Sequence, residues 1–91
     1  MKYNDLQKLK ANIANIKRLL PLSNPLIEGG SLLNAMGKVL NLLPKNVLSF
    51  SVPLKEGYEF AISRSDKHLS DIWRLDYVEN TFLKNQEEEI S

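Results

Sequence analysis

Residues 47–64 read V-L-S-F-S-V-P-L-K-E-G-Y-E-F-A-I-S-R, and this stretch decides the fold. Leu48, Phe50, Val52 and Leu54 fall on one side of an extended chain, with Ser49, Ser51 and Pro53 on the other; Tyr58, Phe60 and Ile62 then alternate with Glu59, Ala61 and Ser63. Apolar residues repeating every second position mark half-buried strands. The connection Lys55-Glu56-Gly57 puts glycine where a hairpin loop needs positive φ, so the two runs are expected to fold back on each other. A hairpin with one apolar face must be covered, and the remaining chain has to supply the cover. Pro53 cannot donate a ladder hydrogen bond, which requires either an edge strand or a nitrogen turned away from the neighbour.

Upstream lie two helices. Leu6, Leu9, Ile13, Ile16 and Leu20 recur at spacings of three and four, Asn4 is available as N-cap and Pro21 closes the run, which predicts a helix over residues 5–20. Its stripe is narrow enough for a coiled-coil seam but too short to sustain one, so packing on the sheet or the second helix is expected. Lys8, Lys10, Asn12, Asn15, Lys17 and Arg18 take the outer surface, where any contact with nucleic acid would begin. Residues 21–30, P-L-S-N-P-L-I-E-G-G, form a connection, with Leu26 and Ile27 tucked onto the core. Gly29-Gly30 is not a phosphate loop, because no lysine follows at the required place; Ser31 reads as the cap of the next helix. That helix, residues 32–43, is apolar on most sides, interrupted among polar residues by Asn34, Lys38 and Asn41. Gly37 within it is tolerable if it permits a close crossing. A short chain has little with which to enclose such a helix, so a homodimer or another protein partner is expected.

Downstream, S-D-K-H-L-S over residues 65–70 reads as a loop, and D-I-W-R-L-D-Y-V over residues 71–78 can be read two ways. As a strand, Trp73, Leu75 and Tyr77 share a face and Arg74 and Asp76 the other; as a helix, its apolar residues point in nearly every direction. The strand reading is preferred. The expected fold is therefore α+β: two N-terminal helices on an antiparallel three-stranded meander, with a short or frayed C-terminal helix capped by Thr81. The alternative is a long C-terminal helix from about residue 66. Three glutamates near the end oppose the helix macrodipole, so residues 86–91 are expected to be a disordered tail.

Composition bounds the function. The chain has 91 residues, 43% hydrophobic and 25% charged, which is one small domain able to bury about two thirds of its unfolded surface. With no cysteine there is neither a disulfide framework nor a thiolate metal site, and a reducing cytoplasm, bacterial or of a phage host, is the expected compartment. No apolar run is long enough to span a bilayer, and no signal peptide is expected. A net charge of +1 argues against a dedicated nucleic-acid binder. The charge is nevertheless unevenly spread: residues 1–18 hold five cations against one carboxylate, and residues 79–91 four carboxylates against Lys84. Two such faces attract each other, within a chain or between chains.

Catalytic groups are sparse. His68 is the only histidine, so zinc would need carboxylates at unsuitable spacing, and Ser65 or Ser70 with His68 and Asp66 or Asp71 makes a set of loop neighbours rather than a triad with a nucleophile elbow. No catalytic residue, cofactor or metal site is expected. The leading expectation is a small non-enzymatic protein-interaction or regulatory module that acts by protein–protein binding, self-association included. Trp73, Tyr77 and Tyr58 are the candidate anchors, with completion of the core as the competing and preferred role for these aromatic residues.

Gly57–Arg64, G-Y-E-F-A-I-S-R, followed by Ile72–Glu79, I-W-R-L-D-Y-V-E, resembles the central hairpin of RelE-like ribonuclease toxins, which also place two helices before it. The resemblance implies messenger-RNA binding or cleavage by basic and aromatic side chains, and the corresponding positions are Arg64, Arg74 and Tyr77. That family begins with a strand, which M-K-Y does not clearly supply, and ends on a basic segment where this chain has Q-E-E-E. The alternative reading it supports requires Arg64 and Arg74 to share one surface.

Overall fold

A computed structural model describes residues 1–22, 24, 30–64 and 72–90. The fold is α+β. Helices α1 (Tyr3–Leu19) and α2 (Ser31–Leu42) precede a hairpin of β1 (Ser49–Pro53) and β2 (Glu59–Ser63). A third strand, β3 (Ile72–Arg74), leads directly into α3, the helix over residues 75–90. The sheet order is β2-β1-β3. The placement expected for Leu26 and Ile27, and the loop containing Ser65, Asp66, His68, Ser70 and Asp71, lie outside the described residues.

The hairpin follows from its alternation. Phe50 pairs with Ile62 and Val52 with Phe60 across β1 and β2, and Phe50 and Val52 are fully buried. The loop is a 3-10 turn over Lys55–Gly57, with Gly57 at φ 81 as expected and Glu56 also left-handed at φ 62. Leu54 N–H donates to the Tyr58 carbonyl at 2.7 Å and Arg64 N–H to the Leu48 carbonyl at 2.8 Å. Hydrogen-bonded and non-hydrogen-bonded pairs alternate along an antiparallel ladder, so the even-numbered residues of β1 and β2 bond to each other and the odd-numbered ones turn their N–H and C=O outward. Pro53 pairs with Glu59 in a non-hydrogen-bonded position, so its donorless nitrogen faces away from β2.

That placement shapes the opposite flank of β1. β3 pairs parallel to β1, Ser49 with Ile72 and Ser51 with Arg74, and the ladder ends there. The next residue of β1 turned to this side is Pro53, which has no N–H to offer. The expected antiparallel meander is thus corrected: the sheet is mixed, and of residues 71–78 only Ile72–Arg74 form a strand among the described residues. From Leu75 the chain is helical, through a wider π turn over Val78–Phe82 and on to Ile90. The π turn also explains why a regular helical wheel scatters these apolar residues. One inserted residue rotates the remainder of the helix by about 100°, a single residue's share of a 3.6-residue turn, so Leu75, Val78 and Leu83 all reach the core.

The helices cover the apolar face. Leu6, Leu9, Ile13, Ile16 and Leu19 of α1 are buried, which uses the predicted stripe inside the molecule, with Leu19 buried in place of the partly covered Leu20. The caps differ from expectation: α1 starts at Tyr3 after Lys2, so Asn4 lies in its first turn, and α2 is entered through Gly30 at φ 68, so Ser31 is its first residue. Leu32, Ala35, Met36, Val39 and Leu40 of α2 are buried in the same core, leaving Leu33 as its one largely exposed apolar residue at 43%. The surplus apolar face expected on this helix is therefore consumed internally. A Cβ on Gly37 would meet nothing within 4 Å, so this glycine does not mediate a close crossing.

The opposed charges of the two ends meet within the chain. Lys10 Nζ lies 3.2 Å from Glu87 Oε1, and Lys17 Nζ donates to Glu79 Oε2 at 2.8 Å, joining α1 to α3. Each exposed pair contributes at most about 1 kcal/mol. Together they give the glutamate-rich end a docking partner, and α3 runs past Asn85, where fraying was expected, to Ile90.

Candidate interaction surfaces

Trp73 stands on the inner face of β3, paired with Phe50, half-buried against the core. Its ring meets Tyr77 edge-on at 4.9 Å between centroids and Phe82 at 5.2 Å, contacts worth about 0.5–1.5 kcal/mol each beyond burial. Tyr77, 45% exposed, shields the outer edge of this cluster. Trp73 accordingly completes the core where β3 passes into α3. Tyr58 is different: it follows the hairpin turn, is 68% exposed, and belongs to the opposite flank of the sheet. The three aromatic anchors proposed from sequence do not form one patch.

The two arginines also separate. Arg64 continues the inner-face alternation of Phe60 and Ile62, and its guanidinium donates to the carbonyl oxygens of Leu40 and, at 3.1 Å, Leu43. These carbonyls lie at the C-terminal end of α2, and that of Leu40 also accepts the Leu43 N–H at 3.2 Å, so Arg64 adds a full positive charge at the negative end of the helix dipole. Arg74 lies on the outer face beside Ser51, with Nε 3.3 Å from Glu59 Oε1. Since Glu59 is on β2, this ion pair crosses over β1. Arg64 and Arg74 thus occupy opposite faces and opposite edges, and the shared arginine surface required by the RNA-cleaving reading is not assembled.

Beside the Arg74–Glu59 pair lies Ser51, which like Ser49 is buried, 1% and 0% exposed, and neither hydroxyl has a hydrogen-bond partner among the described residues. Alternation suggested that these serines face solvent. They are buried because β1 is central, flanked by both neighbours. A cavity of about 220 Å³ beside Ser51 is edged by Glu59, Arg74, Asp76 and Glu79, and it is smaller than the roughly 300–1,000 Å³ of small-molecule pockets. Among the described residues no group of three or more histidine and carboxylate side chains is placed to hold a metal ion.

The sequence reading overlooked the outer edge of β2. No described strand pairs there, and the odd-numbered Glu59 and Ala61, both exposed, turn their N–H and C=O groups outward. Exposed edges of this kind are templates for further pairing. The legible signal was the parity of the hairpin: once Pro53 is placed in a non-hydrogen-bonded pair, every odd residue of β2 must face out. No helix among the described residues is long and apolar enough to cross a membrane. Compared with known proteins, the chain matches no family model, no curated protein and no solved structure.

Proposed function

We propose that this chain is a small non-enzymatic protein-interaction module, acting in the cytoplasm of a bacterium or of a phage-infected host, whose contact is strand addition at β2 by a second copy of itself. The observation that carries the reading is the open edge of β2. An antiparallel copy related by a two-fold axis at Ala61 exchanges both Ala61 N–H···O=C bonds with its partner. The same register sets Phe60 against Ile62 of the partner subunit, extending the inner apolar face. Charge supports it too, because the edge runs from Glu56 and Glu59 to Arg64 and an antiparallel copy lays opposite signs side by side. A domain of this size is modestly stable alone and gains from such a sheet.

Light scattering on a sizing column tests the reading, comparing the chain with Ala61→Pro. The Ala61 N–H is not used within the hairpin, so proline is compatible with the folded monomer and incompatible with the shared edge. The expected result is a dimer that Ala61→Pro converts to a folded monomer. A monomeric wild type, or a dimer unaffected by the substitution, contradicts it.

A further inference from the structure

We propose that the groove between α1 and α2 binds a phosphate group. The groove has a volume of about 190 Å³ and is walled by Asn12, Asn15 and Arg18 of α1 and by Asn34 and Lys38 of α2, over a floor of buried Leu19 and Ala35. Two cations and the residues Asn15 and Asn34 line it, and among the described residues no carboxylate does. Asn12 is partly committed, since its Nδ2 donates to the Lys8 carbonyl at 2.8 Å.

The distribution of ion pairs makes this groove distinct from the rest of α1. Lys10 and Lys17 are neutralised by Glu87 and Glu79 of α3. Arg18 of α1 and Lys38 of α2, which line the groove, have no ion-pair partner among the described residues. The docking of α3 thus removes two cations from the basic helix on one flank and leaves the α2 flank positive. The cavity beside Ser51 offers the internal contrast: Glu59, Asp76 and Glu79 edge it against Arg74 alone, and the same anion would be repelled there.

Size narrows the ligand. The groove falls below the roughly 300–1,000 Å³ of small-molecule pockets, so it takes one anionic group rather than a whole nucleotide. Arginine and side-chain amides together present N–H donors to several oxygens at once, which suits a tetrahedral oxyanion, with Lys38 as a point charge. The group is either free inorganic phosphate or one phosphodiester of a single-stranded nucleic acid laid across the groove.

The test uses the full chain and two probes, inorganic phosphate followed by nitrogen NMR of the Asn15 and Asn34 side-chain amides, and a labelled oligothymidine followed by fluorescence anisotropy. Phosphate is expected to shift those amide signals. Arg18→Ala with Lys38→Ala should weaken binding at least about tenfold, as for loss of charge-assisted hydrogen bonds. Lys45→Ala with Lys55→Ala removes the same charge elsewhere and should change affinity less than about twofold, as for distant screened charges. Asn34→Leu, which leaves the charge unaltered, should cost about threefold, the effect of one neutral hydrogen bond. Oligothymidine binding whose salt slope falls by about 0.7 in the Arg18/Lys38 double variant, the share of one phosphate contact on a single strand, assigns the site to a nucleic-acid backbone. Phosphate binding without oligothymidine binding assigns it to a small anion. The proposal is overturned if neither probe binds, or if the two double variants weaken binding equally, which would mean bulk charge and no site. The reading of β2 is unaffected by either result, because Ala61 and the groove lie on different elements.

Discussion

The two flanks of β1 begin alike and finish differently. On one side β2 returns antiparallel over five residues and has no strand on its far edge among the described residues; on the other β3 runs parallel for three residues, gives way to α3, and is closed by Trp73, Tyr77 and Phe82. The difference traces to one side of one residue. Pro53 is harmless toward β2, where its position makes no hydrogen bond, and blocks the ladder toward β3, where the chain turns into a helix. A strand whose ladder cannot continue is covered by its own successor, while the complete hairpin ends on an edge that no described strand pairs.

The sharpest way to break this comparison is Trp73→Ala. If the β3 flank is sealed by packing, removing a half-buried indole should cost about 3 kcal/mol in urea unfolding, near the low end for buried aromatic truncations. A loss below about 1 kcal/mol would mean that Trp73 is a free anchor after all and that the β3 flank is the interaction surface. Arg64→Ala probes the other flank, where β2 is tied to the end of α2. Losing two hydrogen bonds from a partly exposed guanidinium should cost about 1–2 kcal/mol, and Arg64→Lys should restore only part of it. An effect as large as that of Trp73→Ala would show that the two flanks are equally built in.

Ser51→Ala addresses the strand they share. A buried hydroxyl without a partner costs about 1–3 kcal/mol, so its removal should leave stability unchanged or raise it by up to about 1 kcal/mol. A clear loss would reveal a partner for the hydroxyl. The smallest effect is expected for Arg74→Ala: its ion pair with Glu59 bridges the flanks but is solvent-exposed, so thermal unfolding should register no more than about 0.5 kcal/mol, and less in high salt.

Much of this was legible in the residues. Period-two alternation and Gly57 fixed the hairpin, and the stripe of α1 predicted its buried face. Even the separation of the arginines was present, since Arg64 shares parity with Phe60 and Ile62 while Arg74 opposes Trp73. The third strand was not legible because three residues are too few to show a period, and both readings of residues 71–78 were correct for part of it. Its parallel direction depends on which flank of β1 is free, a long-range choice that no local pattern encodes. The apolar breadth of α2 looked like a surplus face for a similar reason: its second neighbour, the inner face of the hairpin, is distant in sequence. The groove of Arg18 and Lys38 escaped notice because it joins two helices whose polar residues look, one at a time, like ordinary solvated surface.

The central claim is that the edge of β2 is occupied by a second copy. Amide hydrogen exchange at Glu59 and Ala61, measured across a range of protein concentrations, tests it most directly, because both N–H groups point away from β1 and have no ladder partner among the described residues. Protection at these two amides that rises with concentration, while that of Phe60 and Ile62 stays high throughout, is the predicted result. Rapid exchange at Glu59 and Ala61 at every concentration would contradict it.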